Sequence, residues 1–553
     1  MDKQKIFLYV RGLIIGISCI GVIWILNRQR LLHNRLECIE LSSPHRSDCA
    51  DTAHMQNSVV ERVVSTAQLW RPIQEQVCDT VVQIFAHVSA LDMLHPYAPP
   101  SQGQSAGSGF FISEHGDLIT NAHVVNQAES MWIQIPSLGK HIIDVELVGI
   151  NPERDLALLR VTPKSLETIR KELGAIPFLS LGDSDLVRRS DEVLALGYPL
   201  AQQSLKSTTG VVSGREHEYI QTSAPINPGS SGGPLLNARG EVIGINAAGV
   251  TQAQNVGYAI PVNTLKSILP DLYKVKLLHK PFLGAVFSSA TAALVEFLGN
   301  PQPGGSYLVE VIPDSTLDKA GFERGDMIYE ANGYKIDRFG EMSVPWSEDK
   351  ISFSDYISRL SIGDKINIVF YRKGKRMERS VDLNFTTLPS VRTVYPGYEP
   401  IDYEIFAGMV VMELTKNHIA LFGERAQGLA KFLELRNQRE PALVITHIFS
   451  NSQLYRSRTL FIGSTINEIN GIKVTTLEEY RRAIKHGATS KYLTILASDN
   501  VRRASDHVFV VLGMEYLLEE EPQLSKSFKY PLTQMSQDLL RARQASQATK
   551  AKK

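Results

Sequence analysis

The octapeptide Asn227-Pro228-Gly229-Ser230-Ser231-Gly232-Gly233-Pro234 constrains this chain more than any other stretch. Glycines and prolines around a serine pair predict a tight turn with exposed backbone N–H groups. A serine hydroxyl is a weak nucleophile alone. It gains reactivity when a histidine accepts its proton, a carboxylate orients that histidine, and N–H groups hold the developing oxyanion. The chain offers both partners upstream: His123 in Thr120-Asn121-Ala122-His123-Val124-Val125, and Asp155 in Asp155-Leu156-Ala157-Leu158-Leu159. Singly, each has a plainer reading: a flexible loop, a satisfied core histidine, a turn carboxylate. Together, and in this context, they read as a catalytic set.

From Gly107 to Ile260 short β-rich runs alternate with Gly, Asn, Asp and Pro; Met131-Trp132-Ile133-Gln134-Ile135 and Val242-Ile243-Gly244-Ile245 are examples. This pattern predicts an all-β barrel architecture. Val77 to Val88 predicts a first strand or its approach. Leu91 to Ala106, with three prolines, predicts a loop. Val262 to Leu269 predicts a helix that Pro270 ends or kinks.

The order His, Asp, Ser is that of the chymotrypsin-type triad, not of subtilisin or the α/β-hydrolases. A series of segments extends the likeness. Gly107-Ser108-Gly109-Phe110-Phe111-Ile112 precedes the histidine motif, and Leu181-Gly182-Asp183-Ser184 and Ala195-Leu196-Gly197-Tyr198-Pro199 follow the aspartate. Thr209-Gly210-Val211-Val212-Ser213 and Ile220-Gln221-Thr222 lead to the serine turn. Gly240 to Asn246 and Gly257-Tyr258-Ala259-Ile260-Pro261 close the set. Residues 102–269 thus resemble the protease domain of the HtrA/Deg serine endopeptidases. One position departs: Ser230 stands where the family usually has Asn.

The resemblance implies a chymotrypsin-like double β-barrel. Ser231 is then the nucleophile, His123 the general base and Asp155 the residue that orients it. The N–H groups of Gly229 and Ser231, with Ser230, form the oxyanion hole. Ile226 matches the floor of the primary pocket. The stretch Thr222 to Gly229 contains no Asp or Glu, which argues against a preference for Lys or Arg. The expected residues before the cut are Val, Ala, Ile or similar.

Two further units follow. Pro281-Phe282-Leu283-Gly284-Ala285-Val286, Val309 to Ser315, Ala320 to Ile328, Ala331-Asn332-Gly333 and Gly363 to Phe370 together resemble a PDZ domain. Such a domain binds a peptide C-terminus as an added strand and receives its carboxylate on loop N–H groups. Phe282, Leu283, Gly284 and Ala285 stand where that loop belongs. Phe339 to Phe353 reads as an insertion. Phe461 to Gly471 parallels Arg324 to Gly333, an internal repeat at domain scale. The third unit is therefore expected to be a divergent second PDZ-like domain. Its nearest loop candidate is Phe406-Ala407-Gly408-Met409, and structural docking is as good a role for it as peptide binding.

At 553 residues the chain is long enough for about three domains. Its 58 basic and 58 acidic residues leave no net charge, so nothing points to nucleic acid. No metal-ligand cluster is evident, and no cofactor is expected. Ile6 to Leu26 carries one charge, Arg11, and runs into Asn27-Arg28-Gln29-Arg30 without a small-residue cleavage site. This favours an uncleaved signal anchor crossing the membrane once over a removed signal peptide. Cys19 lies in that run. Cys38 and Cys49 bracket a polar loop and are a candidate disulfide that spacing alone does not establish. Cys78 is expected as a free, buried thiol.

The expected fold is mainly β: the double-barrel protease domain, then two PDZ-like α+β domains, with an N-terminal transmembrane helix. The expected boundaries are 1–30 for the anchor, 31–70 for a stalk and 71–275 for the protease. The first PDZ domain takes 279–387, the second 400–515, and 516–553 is a polar tail, disordered or with a short helix near 535–545. The resemblance implies a membrane-anchored, ATP-independent quality-control protease in the periplasm or an equivalent compartment. Misfolded proteins would be its substrates, peptide C-termini its first PDZ ligands, and homotrimers or their multiples its assembly. Two readings compete: a non-proteolytic chaperone or PDZ scaffold, and a regulatory protease with one membrane-bound substrate.

Overall fold

Alternating runs such as Val81-Val82-Gln83-Ile84-Phe85-Ala86 fold as strands because each side of the ribbon finds an apolar partner. In the computed structural model, which describes residues 66–249, 256–301, 303–383, 388–502 and 505–551, these strands close into two barrels. The first contains β1 (Val81–Ala90), β2 (Ser101–Phe111), β3 (Asp117–Thr120), β4 (Ala128–Gln134), β5 (Ile143–Asn151) and β6 (Leu156–Val161). They pair in the order β1-β2-β3-β6-β5-β4. The second contains β7 (Glu192–Gly197), β8 (Lys206–Glu216), β9 (Tyr219–Thr222), β10 (Pro234–Leu236), β11 (Val242–Gly249) and β12 (Gly257–Pro261). It closes in the order β10-β11-β12-β9-β8-β7.

An apolar cluster between the barrels fixes their spacing. Phe110, Ile119 and Leu158 of the first meet Leu194, Leu236 and Ile260 of the second, all fully or nearly fully buried. The helix Val262–Leu272 seals this cluster with Leu265, Ile268 and Leu272. It runs through Pro270 instead of ending before it, because residues on both sides of the proline are anchored in that core.

Other local expectations shift. The first strand begins at Val81, and the preceding residues form a helix, Thr66–Val77, which reaches into the expected stalk. Trp70 on that helix is buried in the inter-barrel cluster. The expected loop is shorter, because β2 begins at Ser101 and pairs with β1 throughout. Cys78 is exposed rather than buried. The anchor, most of the stalk, Cys19, Cys38 and Cys49 lie outside the described residues. Among the described residues, no helix is long and apolar enough to cross a membrane.

The second unit is a six-stranded sheet: β13 (Ala285–Ser289), β14 (Ser306–Val311), β15 (Met327–Ala331), β16 (Tyr334–Lys335), β19 (Lys365–Arg372) and β20 (Lys375–Asp382). The segment expected as an insertion forms a separate hairpin of β17 (Glu341–Met342) and β18 (Ile351–Ser352). The third unit has seven strands: β21 (Glu404–Phe406), β22 (Met409–Glu413), β23 (Leu443–Ile448), β24 (Thr465–Ile469), β25 (Ile472–Lys473), β26 (Tyr492–Asp499) and β27 (Ser505–Gly513).

The two sheets share several equivalent contacts. The Gly284 carbonyl accepts the Ile312 N–H at 2.7 Å, and the Gly408 carbonyl accepts the Phe449 N–H at 2.9 Å. A Cβ on Gly284 would lie 2.1 Å from Ser315 Cβ, and one on Gly408 would lie 2.3 Å from Ser452 Cβ. Both serines cap a short helix. The Asn367 N–H donates to Asn332 Oδ1, as the Thr494 N–H does to Asn470 Oδ1.

They differ at one edge. Among the described residues β13 pairs only with β14, so its outer edge is open. Its counterpart β22 is covered by β21, with Glu404 opposite Val411, Ile405 opposite Val410 and Phe406 opposite Met409. The covering strand turns directly into β22 through Ala407 and Gly408, both with positive φ.

The polar tail is structured, contrary to the default expectation of disorder. Helices Met514–Phe528 and Gln534–Ala551 pack on the third sheet, with Met535 and Leu539 buried in its core. Apolar residues spaced four apart supply a buried stripe that average polarity conceals.

Candidate active site

The segment after β3 makes one helical turn, Ala122–Val125. Ala122, Val124 and Val125 are buried, and the His123 side chain between them stays about half exposed. Val124 packs where Gly107 has no side chain: a Cβ there would lie 2.7 Å from Val124 Cγ2.

Asp155 ends the tight connection from β5 to β6 with φ of +52°. Its backbone is held by the Asn121 side chain, which donates to the Asp155 carbonyl at 2.9 Å. The carboxylate then grips His123 twice. Oδ1 accepts the His123 backbone N–H at 2.9 Å, and Oδ2 lies 2.8 Å from ring Nδ1. A carboxylate only accepts, so Nδ1 carries a proton and Nε2 is left as the acceptor. The Asp155 hydrogen bond raises the His123 pKa above its ordinary value, against an opposing effect of burial.

The serine turn belongs to the second barrel. Gly229 (φ +95°) and Gly232 (φ +86°) take conformations that favour glycine. Space forbids anything larger as well: a Cβ on Gly229 would lie 2.5 Å from the Tyr198 carbonyl, and one on Gly232 2.2 Å from the Ser108 carbonyl. The Ser230 N–H is taken by the Asn227 carbonyl at 2.9 Å. Among the described residues the Gly229 and Ser231 N–H groups have no acceptor, so two donors of the three expected remain available. The Ser231 Oγ is buried and donates to the Ala247 carbonyl at 2.5 Å, not to His123.

Ile226 is buried near the turn. A Cβ on Gly257 would lie 2.9 Å from Ile226 Cδ1, so the Ile226 side chain packs directly against Gly257.

In the second unit, Phe282, Leu283 and Gly284 direct their carbonyls to the 312–317 segment. The acceptances are from Thr316 Oγ1 at 2.7 Å, the Leu317 N–H at 3.1 Å and the Ile312 N–H at 2.7 Å. Trans peptide planes point N–H opposite to C=O, so the N–H groups of Leu283, Gly284 and Ala285 face away from that segment. They lead into the open edge of β13. Phe353, on the helix Phe353–Ser358, stands edge-on to Phe287 of that strand at 5.2 Å.

Three contacts had no signal in the sequence reading. Buried Arg154, next to Asp155, donates to the Ser358 and Leu360 carbonyls of the second unit at 2.9 and 2.6 Å. The β1–β2 loop docks on the third unit, where His95 Nε2 lies 3.1 Å from His447 Nδ1 and Tyr97 packs against Phe449 and Tyr530. The hydroxyl of Ser108, in the quoted Gly107-Ser108-Gly109 motif, donates to the Gly229 carbonyl.

Comparison with known proteins agrees with this architecture. Residues 107–245 match the trypsin-like peptidase domain and residues 281–383 the PDZ domain. A probable periplasmic serine endoprotease, DegP-like, of Hahella chejuensis is 30% identical over 430 residues, covering 75% of this chain and 81% of that protein. Its counterpart in Marinomonas sp. is 29% identical over 416 residues, covering 73% and 79%. Among solved structures, the HtrA-type protease AlgW with decapeptide aligns at TM-score 0.44 and 25% identity, covering 57% of this chain and 98% of AlgW. With two barrels, a PDZ domain and relatives matched over most of their length, this chain belongs to the HtrA/Deg family of serine endopeptidases.

Proposed function

We propose that this protein is a membrane-anchored, ATP-independent protease that cleaves misfolded proteins outside the cytoplasm, with peptide C-termini controlling it through the first PDZ domain. The observation that carries the catalytic assignment is the double grip of Asp155 on His123, beside a serine turn with two free N–H donors. His123 Nε2 accepts the Ser231 proton as Oγ attacks the scissile carbonyl. The Gly229 and Ser231 N–H groups hold the oxyanion, and His123 then returns the proton to the leaving amine. For this, Ser231 must first turn from Ala247 to His123, so the described arrangement is a resting one.

The apolar Ile226 side chain, and the lack of Asp or Glu from Thr222 to Gly229, support a preference for Val, Ala or Ile before the cut. The open edge of β13 and the N–H groups of Leu283, Gly284 and Ala285 support peptide binding at the first PDZ domain. The covered edge of β22 supports a structural role for the second. Anchoring by residues 1–30, and trimers or their multiples, rest on the sequence pattern and the family.

Digestion of casein or another unfolded protein by the purified full-length chain in detergent, beside Ser231→Ala, tests the protease reading. Cleavage in the first sample only is expected, with fragments ending in small aliphatic residues. No cleavage by either, even with hydrophobic C-terminal peptides added, would instead favour a chaperone or scaffold.

A further inference from the structure

Ser108 sits on β2 of the first barrel and is fully buried, yet every polar group it owns is engaged close to the serine turn. Its N–H donates to the Ser231 carbonyl at 2.8 Å. Its carbonyl accepts the Thr120 hydroxyl at 2.7 Å, just before the turn that carries His123. Its Oγ donates to the Gly229 carbonyl at 2.7 Å and accepts the Tyr198 N–H at 2.9 Å. The flanking positions admit no side chain. A Cβ on Gly109 would lie 2.6 Å from Ile84 Cδ1, and one on Gly107 meets Val124. Opposite, a Cβ on Gly197 would lie 2.8 Å from Ser230 Cα and 3.0 Å from Ser108 Oγ. Both barrels are thinned at this point so that one hydroxyl reaches across.

We propose that Ser108 is a positioning residue for the oxyanion hole: by holding the Gly229 carbonyl across the barrel interface, it fixes the Gly229–Ser230 peptide plane, which links the two planes that carry the Gly229 and Ser231 N–H groups. This rests on the protease reading above. A hydroxyl that donates one bond and accepts another is spent in both directions, so its hydrogen has one place to go. The Gly229 residue it holds is free to rotate, because glycine at φ of +95° has no Cβ to resist a change of plane. The second restraint comes from the other side, where the Leu200 N–H donates to the Pro228 carbonyl at 2.7 Å. That bond holds the plane that carries the Gly229 N–H, and the Ser108 bond holds the next plane along the turn. Ser108 bears most directly on the transition state, because the oxyanion forms only after attack. The ground-state substrate is held elsewhere, in the pocket and along the barrel edge.

The test compares the full-length protein with Ser108→Ala, Ser108→Thr and Ser108→Cys, using a fluorogenic peptide with valine before the cut. A peptide aldehyde of the same sequence, whose adduct with Ser231 places an oxygen in the hole, serves as a second probe. Ser108→Ala is expected to lower kcat by about tenfold to a hundredfold with KM within about twofold. Aldehyde affinity should fall in parallel, while the melting curve still shows a folded protein. Restoration of kcat by Ser108→Thr, which keeps the hydroxyl, is the expected rescue. If Ser108→Ala does not fold, Ser108→Cys, a weak donor, should lower kcat below that of wild type and of Ser108→Thr with KM within about twofold. Unchanged kcat per folded molecule, or a loss that follows only the folded fraction, overturns the assignment. Loss confined to KM does so too. Wild-type protein that fails to cleave defeats the protease reading instead, so the two failures remain distinct.

Discussion

Asp155 serves His123 through both the backbone and the ring, so its replacement separates charge from geometry. Asp155→Asn keeps the shape but offers an amide where Nδ1–H needs an acceptor. Peptide cleavage should fall by roughly 10⁴-fold, as expected when the imidazole adopts the wrong tautomer. The wild-type acid limb follows from the raised His123 pKa. Protonated His123 cannot act as base, so kcat/KM should decline as pH falls through a value above the ordinary histidine pKa. The stability linkage has the opposite sense: the His123–Asp155 attraction stabilises fully below the unfolded pKa and fades as pH rises through the folded one. A pH–rate profile beside thermal melts checks both. At Gly232 the constraint is steric. Gly232→Ala places a Cβ against the Ser108 carbonyl in a left-handed conformation, which costs at least about 1–3 kcal/mol. Calorimetry should show the lower Tm.

Whole elements carry what single motifs did not. The loop between β1 and β2 read as a loop from its prolines, but its docking depends on the third unit, some hundreds of positions away. There His447 is pushed down to about 4, first by burial and then by His95, with Asp92 opposing. His418, which bonds the Met93 carbonyl, is pushed down to about 4 by burial. Depressed histidine values make the docked state full-strength above about pH 6.5 and progressively weaker as pH falls towards 4. Amide protection factors across residues 91–100, taken relative to the intrinsic exchange rate at each pH, should therefore fall between pH 7 and pH 4.5, and Tyr97, packed beside the histidine pair, should become accessible. Unchanged protection would show that the loop is held by other contacts. The covered edge of β22 has a parallel consequence. Phe353→Ala, beside the open edge of β13, should abolish most binding of hydrophobic C-terminal peptides, measured by fluorescence anisotropy. The covered sheet of the third unit should supply no residual site.

At the scale of the whole molecule, the terminal helices complete the third core instead of trailing from it. Leu539→Ala should destabilise that unit by about 2–5 kcal/mol, the usual range for a buried leucine. Hydrogen exchange of the β4 amides in increasing urea would report the first barrel. It should stay unaffected if the units unfold independently. The short motifs around His123, Asp155 and Ser231, the barrel-forming alternation and the segments of the first PDZ series were legible because each is local: neighbours in sequence are neighbours in the motif. So was the second repeat, through its Asn-Gly turns. The exposure of Cys78, the passage of a helix through Pro270, the covering of β22, the Ser108 bridge and the loop latch were not. Each depends on which distant surface arrives beside a residue, and no local pattern encodes that arrival. The sequence by itself determined the chemistry this chain carries and the modules that bear it. Only the tertiary structure decided which N–H groups stay free, which sheet edge is open and where the serine proton rests, because those are settled by competition among partners brought together only on folding.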